Sequence, residues 1–345
     1  MEPPVRRKRY PGTHPRRLEE KYKELRGDPE ALARAEARGQ TPAGRHRPIL
    51  LDPILAWLDP QPGQILVDCT LGGGGHAAAL AERLAPGRLI ALDLDKAELA
   101  RTMARLEPQE LPITAHAMNF AGLPKVLEAE GLRGVDGLLA DLGVSSMQLD
   151  RPERGFSLKN DGPLDMRLDA SRGQPASEWL ARQTVEGLAE LLMAYGDEPA
   201  ALPIAEAVVE AFHGKRPPRS TRALAGLVAR ALGLDPATRQ ASAFKAHPAA
   251  RTFQAIRMAV NREPDNLTAL LRVLPAHVLP GGRVAFLTFH SGEERLVKAA
   301  LTEPRWEAIT LDLRPSADEV ASNPRARSAR LQVARRALDA HAATA

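Results

Sequence analysis

Short apolar runs alternate with helix-spaced apolar positions along most of this chain. Ile65–Cys69, Arg88–Leu92, Ile113–Ala117, Gly137–Ala140 and Arg283–Phe289 are rich in Leu, Ile, Val and Ala, with Gly, Pro or Asp near their ends. Such runs predict strands buried on both faces. Helical spacing follows the first three, over His76–Leu84, Asp95–Leu106 and Phe120–Glu130. Ahead of them, Asp52 and Pro53 predict the N-cap and first residue of a helix through Leu58. Strand–helix repetition of this kind predicts an α/β fold built on a parallel, doubly wound sheet.

The alternation breaks after the fourth strand. Roughly 140 residues precede Gly281-Gly282-Arg283, far more than a crossover requires. Within them, 175–235 is rich in Ala and Leu at helical spacing, as at Leu188, Leu191, Leu192 and Tyr195, and Ser220-Thr221 offers an N-cap before Leu224–Leu232. An inserted all-helical subdomain over 149–245 is expected, with the helix Pro248–Arg262 and its successor returning to the sheet. Trp306–Leu311 and Ala329–Ala334 predict two closing strands around the loop Pro315–Ser328. The expected organisation is an arm (1–45), an α/β domain (46–148 and 246–336), the insert (149–245) and a tail (337–345).

Charge changes the picture at the N-terminus. Residues 1–50 hold 13 Lys/Arg and 7 Asp/Glu, whereas the rest holds 34 and 36. The basic character therefore belongs to the arm, as suits a polyanionic partner such as nucleic acid. No 18-residue apolar run occurs and the N-terminus lacks an apolar signal core, so a cytoplasmic protein without a membrane span is expected. The single cysteine, Cys69, excludes an internal disulfide and reads as a packed strand residue. No Cys/His grouping has zinc spacing, so no metal is expected.

The run Val67-Asp68-Cys69-Thr70-Leu71-Gly72-Gly73-Gly74-Gly75-His76 carries the strongest chemical signal. A strand entering four glycines and then a helix lets a ligand approach backbone. Gly72, Gly74 and Ala77 satisfy the dinucleotide fingerprint, and Asp93, ending the second strand about 20 residues on, suits ribose hydroxyls. S-adenosylmethionine enzymes use the same layout, so the glycines alone leave both cofactors open; the closing strand pair favours the methyltransferase sheet. Asp95 and Glu98 have capping-box spacing, as do Ser291 and Glu294. Asp141 ends the fourth strand at the same carboxyl-end crevice, where it can face a cofactor, an amine substrate or both. Phe120 follows the third strand and could stack on an adenine. His290 ends the fifth. Phe156 and Arg167, in a Gly/Pro-punctuated loop, and Arg251 and Arg257, on a helical stretch, are candidate substrate contacts.

Taken together, these segments resemble the RsmH (MraW) family of 16S ribosomal RNA cytosine-N4 methyltransferases. The resemblance rests on His46-Arg-Pro-Ile-Leu-Leu51, Leu71-Gly-Gly-Gly-Gly-His76, Asp141-Leu-Gly-Val-Ser-Ser146 with Gln148-Leu-Asp150, and Arg154-Gly-Phe-Ser157. It continues through Asp161-Gly-Pro-Leu-Asp-Met-Arg167, Thr252-Phe-Gln254, Phe289-His-Ser291 and Asn323-Pro-Arg-Ala-Arg-Ser328. It implies a class I (Rossmann-like) methyltransferase sheet with a helical insert and S-adenosyl-L-methionine as cofactor. The family's cofactor-binding positions fall on Gly74, Gly75, His76, Asp93, Phe120, Asp141 and Gln148. The implied substrate is the cytidine numbered 1402 of 16S rRNA in the small ribosomal subunit. Pro53, Ala250 and Gly292 depart from the family's motifs.

The expected reaction is in-line transfer of a methyl group to cytosine N4, with Asp141 accepting from the amino group and Phe156 clamping the unstacked base. Two rivals remain at this stage: an NAD(P)-linked oxidoreductase and a non-enzymatic RNA-binding ribosome-assembly factor. Monomer and homodimer are both compatible with the sequence.

Overall fold

The computed structural model of the protein describes residues 48–149, 151–235 and 247–338, save the side chains of Ser146 and 308–312. The basic arm and nearly all of the tail lie outside the described residues. Seven strands form one sheet: β1 (Ile65–Asp68), β2 (Arg88–Asp93), β3 (Ile113–Ala117), β4 (Val135–Asp141), β5 (Val278–Thr288), β6 (Trp306–Leu313) and β7 (Arg330–Arg336). Their order is β3-β2-β1-β4-β5-β7-β6. The first five are parallel; β7 runs antiparallel between β5 and β6. This is the expected class I methyltransferase sheet. The connections reverse direction between β1 and β4, which places a ligand crevice beyond their carboxyl ends.

Strand residues alternate between two buried faces, as the pleat demands. Leu66, Leu89, Ala91, Leu139, Ala285 and Leu287 pack with α1 (Leu51–Leu58) and α2 (Gly75–Ala81). Val67, Ile90, Leu92, Leu138, Val284 and Phe286 face the other way. They meet α4 (Leu123–Ala129), α11 (Glu263–His277) and α12 (Ser291–Leu301). Between α2 and α4 lies α3 (Lys96–Leu106), whose Leu99 and Met103 join the first face. Both faces are covered, so the strands carry almost no polar residues inside.

A third cluster is built mainly from helices, with Phe156, Leu164 and Met166 of the preceding loop. After the short α5 (Ser146–Leu149) come α6 (Ala176–Leu180), α7 (Val185–Gly196), α8 (Ala201–His213), α9 (Thr221–Ala231) and α10 (Ala250–Val260). Leu180, Leu188, Leu192, Ile204, Val208, Leu224 and Val228 form its centre. Ser220 caps α9 as its position predicts, accepting from the Ala223 amide at 3.3 Å. One expectation fails here. The helix Ala250–Val260 does not return to the sheet: Phe253, Ala255 and Ile256 are buried in the helical cluster. Its apolar stripe matches α7 across the insert, and only α11, the next helix, packs on the strands.

The start of α1 also differs. The helix begins at Leu51, after Leu50 at φ 53, with no side-chain cap, so Asp52 lies in the first turn. The cause is tertiary: the Leu50 amide donates to Glu319 Oε1 at 2.7 Å, fixing the entry from outside.

Candidate functional site

The carboxyl ends of β1, β2 and β4 bring Asp68, Asp93 and Asp141 to one end of the sheet. The glycine run crosses above β1. Gly72 takes φ +45, and a Cβ on Gly73 would meet nothing within 4 Å, so the loop borders open space. Gly74 has a different reason to be glycine. It sits at φ +70, and a Cβ there would lie 2.7 Å from Thr102 Cγ2 and 3.0 Å from Leu106 Cδ1. Its amide donates to Leu71 O at 2.6 Å. Gly74 therefore lets the loop lie against α3, and Gly75 opens α2 directly after it. Thr102 Oγ1 donates to Gly72 O at 2.6 Å and Arg105 donates to Gly73 O, so α3 holds the loop from behind.

Asp93 is shared between loop and helix. Its Oδ2 accepts from Gly72 N and its Oδ1 from Asp95 N, both at 2.8 Å. Each oxygen keeps a second lone pair for a ligand. Burial raises its pKa to about 6 despite those two amides. Asp68 is almost fully buried, and Thr70 N donates to its Oδ1 at 2.9 Å. Burial, with Asp93 nearby, pushes it to about 7. The Asp141 amide donates to Thr70 Oγ1 at 2.7 Å, which ties β4 to the loop after β1. Its side chain keeps 30 % of its surface. Its seat among protein atoms, and then Asp68 and Glu293, raise it to about 7. These carboxylates interact and titrate as a set. Asp68 and Asp93 have no Lys, Arg or His partner among the described residues, and Asp141 has only His76.

His76 has its ring buried. Nε2 lies 3.0 Å from Ile49 O, and a carbonyl can only accept, so Nε2 carries the hydrogen. Burial lowers the ring's pKa to about 4, against the Ile49 contact, and keeps it neutral. Nδ1 then turns a lone pair toward Asp141 Oδ2, 3.7 Å away. The imidazole is thus held through Nε2, and its Nδ1 faces Asp141 without a hydrogen bond.

Gln148 and Asp95 form a second knot. Asp95 caps α3 as its spacing predicts, accepting from the Glu98 amide at 3.1 Å. It also accepts from Arg154 Nη1 at 2.5 Å and Gln148 Nε2 at 3.2 Å. Burial would raise its pKa, but these bonds outweigh it and hold it low. Arg154 reaches on to the carbonyls of Arg167 and Leu168 at 2.9 and 2.8 Å. Phe120, after β3, packs against the sheet core beside the crevice end of that strand.

Several expected substrate contacts are placed elsewhere. Phe156 is buried in the helical core with the Arg154 guanidinium over its ring, so it cannot clamp a base. Arg167 is committed to Asp165 through Nε and Nη2 at 2.8 and 2.7 Å. Arg257 is committed to Glu263 through two bonds of 2.9 Å. In both, the guanidinium charge is already balanced by a carboxylate of the fold. Arg251 is exposed and donates to Asp197 O at 3.1 Å. His290 caps α12: its Nδ1 accepts from Glu293 N at 3.3 Å, and Glu293 Oε2 accepts from Phe289 N at 2.8 Å. The capping pair is therefore His290/Glu293, one residue earlier than Ser291/Glu294, because Glu294 pairs with Lys298. Sequence reasoning missed Asp68 and Glu293. The signals were an acid immediately before the glycine run and the His–Glu spacing itself.

Comparison with known proteins adds an independent finding. A family model described as the MraW methylase family matches residues 43–337. The chain is 41% identical over 340 residues to a Lachnoclostridium phytofermentans protein named ribosomal RNA small subunit methyltransferase H 1, covering 95% of this chain and 92% of that one. It is 45% identical over 305 residues to ribosomal RNA small subunit methyltransferase H of a Synechococcus strain, covering 85% and 92%. Among solved structures, an rRNA methylase from Streptococcus thermophilus is a remote likeness, with TM-score 0.39 and 11% identity over 83% of this chain and 93% of that one. Among the described residues, no helix is long and apolar enough to cross a membrane.

Proposed function

The chain belongs to the MraW methylase family, and from that premise we propose that it methylates the exocyclic N4 of a cytidine in 16S rRNA, position 1402 of the decoding region, in the cytoplasm. The observation that carries the reading is the set of Asp68, Asp93 and Asp141 at one end of the sheet, with no Lys or Arg to balance them among the described residues. Buried carboxylates left without a protein cation call for a cationic ligand. S-adenosylmethionine, with its sulfonium and ammonium, supplies that charge and an electrophilic methyl group. The pyrophosphate of a nicotinamide dinucleotide would instead add negative charge to a negative cleft, which disfavours the oxidoreductase reading. A purely structural assembly factor gives no reason for the acids.

The chain's residues divide the work as follows. Asp93 presents its remaining lone pairs to ribose hydroxyls while holding Gly72 and Asp95. Gly72 and Gly73 leave the space into which side chains would otherwise project. Asp141 accepts an N–H of the cytosine amino group, which orients the N4 lone pair. It then takes the proton that the alkylated nitrogen must lose. His76 Nδ1, with its hydrogen fixed on Nε2 by Ile49, accepts from the protonated Asp141 after a small closure of the 3.7 Å gap. Helix α3 and Thr102 keep the loop from moving as this occurs.

The test incubates the protein with small subunits lacking this modification and labelled S-adenosylmethionine, then identifies the labelled nucleoside by mass spectrometry. N4-methylcytidine at one site is expected. Absence of label in RNA, or label on another atom, sinks the reading.

A further inference from the structure

Two of the arginines expected to meet substrate, Arg167 and Arg257, are neutralised inside the fold, so the cations that are not neutralised become informative. The segment between α8 and α9 reads His213-Gly214-Lys215-Arg216-Pro217-Pro218-Arg219-Ser220-Thr221-Arg222. Lys215, Arg216, Arg219 and Arg222 are all exposed. The first three make no ion pair among the described residues. The acid beside them is Asp161, whose Oδ1 accepts from the Arg222 amide at 3.0 Å and offsets Arg222. Glu210, exposed near the end of α8, is the nearest further acid in sequence.

This segment is held, not loose. Phe212 anchors its start in the helical core. Two prolines fix its middle. Thr221 locks its end: its amide donates to Gly162 O at 2.8 Å and its Oγ1 accepts from Gly162 N at 3.1 Å, while Ser220 bridges Pro163. The loop it grips is in turn fixed toward the cofactor end. A Cβ on Gly155 would lie 2.3 Å from Pro163 O, and Arg154, its neighbour, is bonded to Asp95. Lys159, also exposed, precedes Asn160, whose carbonyl accepts from Thr221.

A cleft of about 520 Å³ opens beside Arg219, on the segment that also carries Lys215 and Arg216. Pro163, Phe212, Pro217 and Pro218 supply apolar wall and Arg219 lies at its side; of its acids, Asp165 is already held by Arg167 and Glu178 remains. That volume falls within the range of small-ligand pockets, about 300–1,000 Å³. A held segment with three exposed cations, one of them beside a partly apolar slot, matches the needs of single-stranded RNA, which offers phosphates and an unstacked base together.

We propose that Lys215, Arg216 and Arg219, with the cleft that Arg219 borders, form a second RNA-docking site that holds a single-stranded segment flanking the target nucleotide. The site is distinct from the carboxylate cleft and rests on the rRNA methylation reading above. It places much of the energy of substrate binding in the helical insert and leaves the acidic end of the sheet for the cofactor and the target base.

The test compares wild type with Lys215→Glu/Arg216→Glu/Arg219→Glu and with the milder triple Gln variant. Affinity for a protein-free 16S rRNA fragment spanning the decoding region is measured by fluorescence anisotropy across salt concentrations. Cofactor affinity and thermal midpoint are measured alongside, and retained values show that each variant is folded. The expected result is at least a tenfold loss of RNA affinity in the Glu variant, with a smaller loss in the Gln variant. Three lost phosphate contacts should flatten the log–log salt slope by about 2. Methylation of small subunits should show a raised KM. Unchanged RNA affinity and slope overturn the proposal. So does a loss confined to whole subunits, which would make the occupant a ribosomal protein. If wild type itself leaves RNA unlabelled, the methylation reading fails; if wild type labels RNA and the variants match it, only this site fails.

Discussion

The two halves of this protein treat charge in opposite ways. At the end of the sheet, Asp68, Asp93 and Asp141 are buried or half-buried without a protein cation, and their pKa values rise to about 7, 6 and 7. In the helical half and where it joins the sheet, the least exposed arginines are paired within the chain: Arg154 with Asp95, Arg167 with Asp165, Arg257 with Glu263. Cations without such a partner stay on the surface, at Lys215, Arg216 and Arg219. Leaving a buried carboxylate unbalanced costs free energy, so the imbalance marks a place where a ligand supplies the opposite charge. A balanced buried pair marks scaffold. An arginine's value as an RNA contact therefore depends less on its position in the sequence than on whether a carboxylate already holds it.

The strongest test of that contrast removes the scaffold where the halves join. Arg154→Ala leaves Asp95 buried without its cation, and loss of one partner of such a pair costs about 3–5 kcal/mol. Chemical denaturation should show a drop of that order; a drop below about 1 kcal/mol would mean the pair behaves like a surface one.

Asp141→Asn tests the other half. Removing a group that stabilises charge at the reacting atom costs about 10²–10³-fold in rate. Single-turnover methylation should fall by that much while cofactor affinity falls less. A loss confined to cofactor affinity would remove Asp141 from amine recognition.

The pH dependence of cofactor binding follows from the raised carboxylates. Each attracts a cationic cofactor only when ionised. Affinity for S-adenosylmethionine should be full above the values near 7 and should decline as pH falls through 7 and then 6. Calorimetry between pH 5 and pH 8 measures this, and an affinity independent of pH would contradict the role given to the three acids.

The smallest effect belongs to the surface. Arg262 and Asp265 pair with 77 % and 58 % of their side chains exposed. Arg262→Ala should change stability by less than about 1 kcal/mol, the range for exposed pairs. A larger change would blur the distinction between buried and surface charge.

The sequence by itself determined the strands, the glycine loop, the acids that end β2 and β4, and the long interruption that holds the helices. Each of these is written in local spacing. A strand residue's face follows from a period of two, and a capping acid lies three residues from the amide it holds. Asp95 capping α3 was legible for that reason. Its second role was not, because Arg154 lies 59 positions away and nothing in the intervening pattern selects it. The same distance hid the anchoring of Leu50 by Glu319, 269 positions apart, and the burial of Phe156, which a polar loop disguised. The helix Ala250–Val260 carried an apolar stripe that fits sheet or helix equally well, and only its match to α7 settled its place. Tertiary structure decided which charges are spent. A carboxylate and a guanidinium look alike in sequence whether they are neutralised by the fold or kept for a ligand, and the difference arises only when packing brings a counter-charge within reach or leaves it out.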